Sequence, residues 1–403
     1  MSRRSSFGYS SYGSRSYGSG GNKGKRRRNN KMKRIVIITG CIAAAAAVTA
    51  AVCIAVAVNR GNVETAPDKQ ESRQSVTTSG ESSAGEESKE ESKAEESSGA
   101  ADIKGYYDGR VFMYDSYGYE MFYGTDGSAK NYAAVISNIK SAVGKNVNVY
   151  NMVVPNHAPF GLPEKYLDDM NDERENIKTI YSSYTEEVFP IDVFDALEKH
   201  KGEYIYFRSD ANWTALGAYY AYQEFCKKAG AKAVELGTLS KGSITGFKGT
   251  LFTATQTDEN PDGNKELAAA PDTVVYYNMP GIESCILMEN GKSEEQEVPL
   301  IASFAEGRFA YSAFLWGDNP YMKVRTTQKT GRKLCIIKDT YGSAFTPFLT
   351  ANFDEIFIVD PTYYNDNIVE YIQKNKYTDV LVINSIMNAN TQFRVDDIMS
   401  ILK

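Results

Sequence analysis

The apolar positions of this chain form two distinct patterns. One is an unbroken run at residues 35–58 that contains no charged side chain. A helix rises about 1.5 Å per residue, so a helix over this run would cross the hydrocarbon layer of a bilayer, which is about 30 Å thick. The other pattern, towards the carboxyl terminus, consists of short apolar runs that alternate with helical segments. Such alternation is typical of a parallel sheet covered on both faces.

The short apolar runs predict the strands of a single sheet. Four are rich in large or β-branched apolar residues: residues 146–154, 333–338, 355–360 and 379–384. A fifth run, residues 204–207, predicts a strand that leads into a helix. The helical segments are expected at residues 132–142, 191–199, 213–229, 368–374 and 393–402. Residues 241–320 have shorter alternating stretches and Gly/Pro turns, which indicate an antiparallel or irregular β-rich insertion.

Composition sets the limits of the folded part. Residues 1–34 are almost all Ser, Gly, Tyr, Asn, Arg and Lys, and residues 59–103 are dominated by Ser, Glu, Lys, Ala and Gly. Neither stretch has enough apolar surface to offset the entropy of ordering, so we predict a disordered tail and a disordered linker. Residues 104–403 remain as one three-layer α/β domain with a mostly parallel sheet, preceded by the transmembrane helix at residues 35–58.

The charges are distributed unevenly along the chain. All eleven charged residues of segment 1–34 are positive, and the rest of the chain sums to −17. Nucleic-acid binding is therefore not expected of the folded part. The basic cluster at residues 23–34 could contact nucleic acid or anionic lipid, but its place beside the apolar run favours a role in topology. We predict a single-pass protein of the cell membrane, with a cytoplasmic amino terminus and an extracellular domain.

The apolar run has two other interpretations. A cleaved signal peptide has an apolar region of about 7–15 residues, and this run is longer. Residues 38–41 resemble a bacterial lipobox, although few apolar residues precede Cys41. We favour an uncleaved anchor and leave lipidation of Cys41 open.

The cysteines and histidines give little sign of a disulfide framework or a metal site. Cys226, Cys285 and Cys335 are the cysteines of the outer domain, and three cannot all pair within one chain. We expect them to be buried free thiols. No pair of His or Cys has the spacing of metal ligands in this domain, so no metal or cofactor is expected.

The ends of the predicted strands indicate where a site would form. In open α/β sheets, ligands bind beyond the carboxyl ends of the strands. This rule selects His157, residues 209–213 and residues 339–343.

Residues at two of these strand ends resemble known motifs. Residues 207–220 read Phe-Arg-Ser-Asp-Ala-Asn-Trp-Thr-Ala-Leu-Gly-Ala-Tyr-Tyr. This resembles the signature of the DHHW protein family, Asp-His-His-Trp followed by Thr and by Gly-Ala-Tyr. Residues 338–348, Lys-Asp-Thr-Tyr-Gly-Ser-Ala-Phe-Thr-Pro-Phe, resemble the second family motif, Asp-Ser-Tyr with Pro-Phe downstream. Residues 246–251 are also similar to a family stretch, and the resemblance covers about residues 105–403.

The resemblance implies an SGNH-hydrolase-like fold, related to domains that acetylate alginate and other cell-envelope polysaccharides. In the family, a serine of the second motif is the nucleophile and the second histidine of Asp-His-His-Trp is the base. The aspartate two residues before that histidine orients it. The matching positions here are Thr340, Asn212 and Asp210. Trp213, Asp339 and Tyr341 are expected to contact the substrate.

Two of these catalytic positions depart from the family pattern. The amide of Asn212 has no basic nitrogen near neutral pH, and the extra methyl of Thr340 crowds attack. Loss of a triad member lowers turnover by about 10⁴ to 10⁶. His157 is the histidine that could replace the base, if it faces the cleft. His200 follows the helix predicted at residues 191–199 and is expected to interact with its carboxyl end.

The motif residues also have purely structural interpretations. Ser209 or Asp210 would suit the N-cap of the helix at residues 213–229. Trp213 would suit the core beneath that helix. Capping and catalytic ancestry do not exclude one another.

Three functional hypotheses follow. In the first, the domain is a catalytically impaired SGNH-like protein that binds cell-wall polysaccharide or an envelope protein. In the second, it is an active O-acetyltransferase or acetylesterase on envelope polysaccharide, with Thr340 as nucleophile and His157 as base. In the third, it is a structural tethered module of a wall-assembly complex, which the sequence does not separate from the first.

Overall fold

A computed structural model of the chain describes residues 103–403. Within that range, no helix combines the length and the apolar character that crossing a membrane requires. The predicted transmembrane helix at residues 35–58, the basic tail and most of the linker lie outside the described residues.

The described part contains thirteen strands. They are β1 (Tyr106–Asp108), β2 (Val111–Tyr114), β3 (Tyr117–Tyr119), β4 (Asn148–Val154), β5 (Phe189–Pro190), β6 (Lys241–Phe247), β7 (Asp272–Tyr277), β8 (Ile282–Met288), β9 (Glu295–Glu297), β10 (Tyr321–Thr326), β11 (Lys333–Lys338), β12 (Glu355–Val359) and β13 (Asp379–Ser385). Eight of them form one sheet in the order β5-β4-β13-β11-β12-β10-β8-β9.

The sheet is mixed. The strands from β5 to β12 in this order are parallel, and β10, β8 and β9 add to the edge in antiparallel pairs. Every residue of β13, and all of β11 except its first, is buried, so the centre of the sheet is covered on both faces. The predicted α/β class and the four main strands are confirmed. The parallel character is confined to one half of the sheet, because part of the predicted insertion extends the sheet instead of standing apart from it.

Twelve α-helices surround the sheet in the described range. They are α1 (Asp126–Val143), α2 (Ala158–Gly161), α3 (Glu164–Leu167), α4 (Glu173–Ser182), α5 (Phe194–Lys199), α6 (Ala215–Ala229), α7 (Thr250–Ala254), α8 (Lys265–Ala269), α9 (Thr340–Leu349), α10 (Ile368–Asn375), α11 (Ile386–Ala389) and α12 (Gln392–Ser400). Helix α1 packs against α4, α10 and α12, whereas α9 packs against α6.

Two smaller β structures lie beside the main sheet. Strands β1–β3 form an antiparallel sheet that the sequence did not reveal, and β6 and β7 form a two-stranded ribbon. The predicted strand at residues 204–207 is wrong. Only an isolated bridge between Tyr206 and Trp213 forms there, because the segment pairs with the loop that follows it: Thr214 N donates to Ile205 O at 2.9 Å.

Buried thiols complete the core as expected. Cys226, Cys285 and Cys335 are all free and buried. Burial raises the pKa of the Cys226 thiol to about 11 and that of Cys285 to about 12. These side chains therefore act as small apolar groups.

Candidate functional site

The first motif is a loop that a buried carboxylate fastens to the ribbon. The backbone N–H of Ser209 donates to Asp272 Oδ2 at 2.8 Å, and its hydroxyl donates to the same oxygen. The hydroxyl in turn accepts a bond from Gly249 N at 3.1 Å. The N-cap of α6 is Thr214, whose hydroxyl accepts from Gly217 N. The predicted capping role of Ser209 or Asp210 is therefore wrong, because both side chains are engaged elsewhere.

Asp210 and Asn212 form a hydrogen-bonded pair. Asp210 Oδ1 accepts from the backbone N of Asn212 at 2.9 Å and from its side-chain Nδ2 at 2.7 Å. Because the amide nitrogen faces the carboxylate, the amide oxygen Oδ1 points away from it. This oxygen is buried and has no hydrogen-bond partner among the described residues. The pair thus offers an unused acceptor, and the amide of Asn212 has no basic nitrogen with which to take up a proton.

The stretch at residues 246–251 supports Asp210 from its other side. Thr250 N donates to Asp210 Oδ2 at 2.7 Å. A Cβ atom on Gly249 would lie 2.2 Å from Asp210 Cβ, a distance that two carbon atoms do not tolerate. Glycine is required here because the two backbone segments approach so closely.

The second motif turns from β11 into α9. Asp339 is the N-cap of α9: its Oδ1 accepts from Tyr341 N at 3.1 Å. Its Oδ2 accepts from Ser385 N at 2.7 Å and from Asn388 Nδ2 at 2.8 Å, which ties the turn to the end of β13. Thr340 is the first residue of α9 and is half-buried. The carboxylate expected to touch a substrate is thus fully used in holding the turn.

The structure brings the two motifs together. The indole N–H of Trp213 donates to Tyr341 O at 2.9 Å, and the hydroxyl of Tyr341 donates to Ala211 O. Tyr311, from the insertion, donates to Thr340 O at 3.1 Å. Trp213 is completely buried, as its structural interpretation required, and it also joins the two loops. The loop that carries Asp210, Asn212 and Trp213 is therefore packed against the turn that begins α9.

His157 lies beside this site in an aromatic enclosure. Its ring stacks on Tyr206 with 5.0 Å between centroids, and the rings of Tyr117 and Tyr119 flank it at 5.3 and 4.9 Å. Burial lowers its pKa to about 3, so the imidazole is neutral at neutral pH. No hydrogen bond joins His157 to Thr340 in the described structure. His200 lies elsewhere, where it bonds to Glu203 at 2.6 Å and stacks on Tyr220.

Two glutamates at the site escaped the sequence analysis. Glu173 Oε2 accepts from Asn156 N at 2.9 Å, and burial raises the pKa of Glu173 to about 8. The carboxylate of Glu120 is half-buried, and its pKa is raised by burial and by the charge of Asp210. Neither residue lies in a motif, and Glu173 sits in a charge-rich segment that is typical of a solvated helix, so no sequence signal was available.

Unpaired polar atoms concentrate at this edge of the sheet. Within residues 103–403, the buried side-chain atoms without a hydrogen-bond partner in the protein are His157 Nδ1, Glu173 Oε1, Asn212 Oδ1, Ser343 Oγ and Asn384 Nδ2. Most of them belong to residues that lie at or just beyond the carboxyl ends of β4, β11 and β13. An unpaired buried polar atom costs about 1–3 kcal/mol, so these atoms leave a hydrogen-bonding capacity that an ordered water or a ligand would satisfy.

A cavity of about 590 Å³ opens at the opposite end of the parallel strands, near their amino ends. Its lining includes Arg332, which precedes β11, together with Lys232 and Glu235. The guanidinium of Arg332 is already bonded to both oxygens of Asp379. None of the residues that line this cavity belongs to the motifs.

Comparisons with known proteins agree with the motif assignment. The sequence profile described as DHHW protein matches residues 68–359. The crystal structure of a DHHW family protein from Eubacterium siraeum is 32% identical, with a TM-score of 0.65, and the match covers 74% of this chain and 97% of that one. A comparison with curated proteins gives no significant match.

A more distant structure also shares the fold. Bacillus cereus PatB1, solved with a sulfonyl adduct, is 17% identical over 70% of this chain and 98% of its own, with a TM-score of 0.57. The O-acetyltransferase domain of Pseudomonas putida AlgJ is 13% identical over 72% of this chain and 95% of its own, with a TM-score of 0.40. The α/β fold with a mixed sheet is thus similar to that of PatB1. The chain belongs to the DHHW protein family.

Proposed function

We propose that this chain is a membrane-anchored protein of the bacterial cell envelope whose SGNH-like site is catalytically impaired. It acts by binding, and its ligand is an envelope polysaccharide or an envelope protein. The proposed anchor is the apolar run at residues 35–58, which has basic residues before it and acidic residues after it. This topology places the domain outside the cytoplasm.

The hydrogen bond between Asp210 and Asn212 is the observation that carries the proposal. In the family pattern, an aspartate orients an imidazole that removes a proton from the nucleophile. Here the same aspartate orients the amide of Asn212. The amide donates a hydrogen bond of 2.7 Å to the carboxylate, and it cannot accept a proton near neutral pH. The aspartate that positions the base is present, but an amide replaces the base itself. Turnover is expected to fall by about 10⁴ or more.

The same arrangement can still bind a ligand. Asn212 Oδ1 is a buried acceptor without a partner. Tyr341 and Trp213 form the wall between the two motifs. A ligand that offers hydroxyl or N–H donors would satisfy the acceptor, and sugars offer such donors.

Restoring the family residues tests the catalytic part. The full-length protein and the variants Asn212→His, Thr340→Ser and the double variant are assayed for hydrolysis of 4-nitrophenyl acetate. We expect background rates for the wild type and a clear gain for the double variant, which Asp210→Asn then removes. Equal rates for wild type and double variant would contradict a site that lacks only its base and serine.

Binding is tested separately, by co-sedimentation of the full-length protein with purified cell-wall sacculi. The proposal requires retention of the wild type on the wall fraction or on an isolated envelope protein. Absence of both would overturn it. Topology is checked in spheroplasts with a carboxyl-terminal tag: added protease should remove the tag, and a protected tag would refute the extracellular placement.

One observation favours the second candidate, an active O-acetyltransferase or acetylesterase. The side chain of Thr340 is half-buried at the start of α9, and its hydroxyl makes no hydrogen bond in the described structure, so it is not committed to the fold. If wild-type protein hydrolyses the ester and Thr340→Ala abolishes the activity, the second candidate replaces the first. His157→Gln then tests whether that histidine is the base.

A further inference from the structure

Two aromatic rings lie against one another at the surface of the insertion. Phe304 is 64% exposed, and Trp316 is partly exposed. Their ring centroids are 5.0 Å apart, with an angle of 68° between the ring planes. The contact is edge to face, which is a favoured arrangement of two aromatic rings. Phe304 and Trp316 are called the aromatic pair below.

The backbone at Trp316 has a costly conformation. Leu315 and Trp316 have φ of 55° and 64°, and Gly317 follows with φ of 82°. A positive φ is an outlier for a bulky residue, and such outliers are concentrated at active sites and ligand-binding sites. Leu315 is buried, whereas the ring of Trp316 reaches the surface. The strain therefore includes the residue whose indole is presented to solvent.

Three polar contacts hold this strained turn in place. The indole N–H of Trp316 donates to Pro299 O at 2.7 Å. The side chain of Asn319 donates to Trp316 O at 3.0 Å. Asp318 accepts from the buried ammonium of Lys338 at 3.0 Å. The indole is thus oriented before a ligand arrives, which lowers the entropy lost on binding.

The segment that carries the aromatic pair is also joined to the second motif. Lys338 is the last residue of β11 and stands two positions before Thr340. The hydroxyl of Tyr311 donates to Thr340 O at 3.1 Å. A backbone hydrogen bond of 2.8 Å from Ala302 N to Ala313 O closes the loop around Tyr311. The aromatic pair therefore belongs to a surface segment that is attached to the turn at the start of α9.

The side chains that flank Phe304 indicate which class of ligand the pair binds. Ser303, Glu306 and Arg308 are exposed, and within the described residues their side chains make no hydrogen bond or ion pair. An apolar protein surface or a bilayer would remove these groups from water without giving them partners, which costs free energy. Sugar hydroxyls both donate and accept hydrogen bonds, and the C–H bonds on the face of a pyranose ring pack on the negative face of an aromatic ring. The combination favours a polysaccharide.

We propose, building on the polysaccharide-binding function above, that the aromatic pair is a subsite for an envelope polysaccharide, with a pyranose ring packed on Phe304 and Trp316. The sugar hydroxyls bond to the polar side chains that flank Phe304. The subsite consists of side chains that already reach the surface, so binding does not require the core to open.

Sedimentation with purified sacculi measures the contribution of each ring. Full-length protein in detergent is mixed with increasing amounts of sacculi, and the apparent Kd is obtained from the fraction bound. Phe304→Ala should weaken binding by at least about fivefold, which corresponds to the loss of one ring contact. Trp316→Gly removes the indole and leaves a residue that suits the positive φ, and it should weaken binding at least as much. Circular dichroism checks that both variants are folded, and Phe304 is exposed enough for its truncation to leave the fold intact.

Phe393→Ala is the matched control. Phe393 is 84% exposed and lies on α12, which packs against α1. Its truncation removes an exposed ring of the same kind and should leave the apparent Kd unchanged. An equal loss in Phe393→Ala and Phe304→Ala would show general adsorption to apolar surface and would overturn the proposal.

Tryptophan fluorescence locates the ligand on the protein. Trp213 is completely buried and Trp316 is partly exposed, so acrylamide should quench mainly Trp316. Glycan strands freed from their stem peptides by an amidase should protect the wild type from quenching, and should protect Phe304→Ala less at the same concentration. Unchanged quenching of the wild type, at strand concentrations that compete with sacculi, would place the polysaccharide elsewhere and refute the subsite.

Three further outcomes separate this inference from the function beneath it. If both variants bind sacculi as the wild type does, the subsite is wrong and polysaccharide binding stands. If Phe304→Ala loses an isolated envelope protein but keeps sacculi, the pair is a protein-docking surface and the proposal falls. If sacculi do not retain the wild type, this inference falls together with the polysaccharide part of the proposed function.

Discussion

The close approach of Gly249 to Asp210 gives the sharpest test of how the site is built. An alanine at position 249 would place its Cβ 2.2 Å from Asp210 Cβ and 2.3 Å from Oδ2. Gly249 has φ of −86°, which any residue can adopt, so the substitution perturbs packing and not the backbone conformation. Asp210 or the 246–251 stretch must move, and the hydrogen bond from Thr250 N to Asp210 Oδ2 must lengthen or break.

The magnitude follows from these two effects. Overpacking of a dense site costs about 1–3 kcal/mol. Loss of a hydrogen bond to a charged acceptor costs about 1.5–3 kcal/mol. The free energy of unfolding should therefore fall by about 3–5 kcal/mol. With an m-value of about 3 kcal/mol/M, the urea midpoint should fall by at least about 1 M.

The assay is urea unfolding followed by tryptophan fluorescence. Trp213 and Trp316 are the two tryptophans of the chain, and Trp213 lies in the first motif. Gly237→Ala is the control, because a Cβ at that glycine would meet no atom within 4 Å. It should change the free energy of unfolding by no more than about 0.5 kcal/mol. If Gly249→Ala unfolds at the same urea concentration as the control, the contact between the two segments is not as described.

Two further predictions concern buried charges. Burial raises the pKa of Glu173 to about 8, above the value for an unfolded chain, so the native state holds a proton that the unfolded state releases. The free energy of unfolding should therefore fall as pH rises from about 4.5 to 8. Glu173→Gln should flatten this dependence and be more stable than the wild type at pH 8 by on the order of a few kcal/mol. Urea titrations at several pH values measure both effects. A wild type whose stability is constant over this range would refute the assignment. Lys338→Met should destabilise the fold by about 3–5 kcal/mol, because it removes the ammonium that lies between Asp318 and Asp360, and with it one of the two cations that offset the buried charge of Asp360 in the described structure. Adding Asp360→Asn should recover part of this loss in a double-mutant cycle, and strictly additive losses would show that the two residues do not interact.

The parallel half of the sheet could be predicted because its strands are apolar without interruption. Residues 333–338 were predicted as a strand with the observed bounds, and residues 379–384 differ from β13 by one residue. A strand that is buried on both faces is apolar at successive positions, and this pattern is visible in the sequence. Strands β1–β3 leave none, because they are only three or four residues long, which is too short for an apolar run or an alternation to stand out.

The residues of the candidate site that lie in a motif were predicted, and those that tertiary packing alone brings to the site were missed. Asp210, Asn212 and Thr340 were found through their places in the two motifs. Glu120 and Glu173 reach the same site from a hairpin and a helix that no pattern connects with it. The strand predicted at residues 204–207 failed for a related reason. Ile205, Tyr206 and Phe207 are buried, but the loop that follows takes the backbone hydrogen bonds that a sheet partner would have used.

The substitution at position 212 changes proton chemistry while it keeps the hydrogen-bond pattern. A neutral imidazole donates one N–H and accepts at its other nitrogen. The amide of Asn212 does the same: it donates to Asp210 and offers Oδ1 as an acceptor. The hydrogen bonds of the loop therefore give it no reason to differ from that of a protein with histidine at this position. Asn212→His should then leave the urea midpoint nearly unchanged while it introduces a base that Asp210 keeps charged to a higher pH. Loss of stability in that variant would mean that the site has been rebuilt around the amide, and that its geometry now serves binding alone.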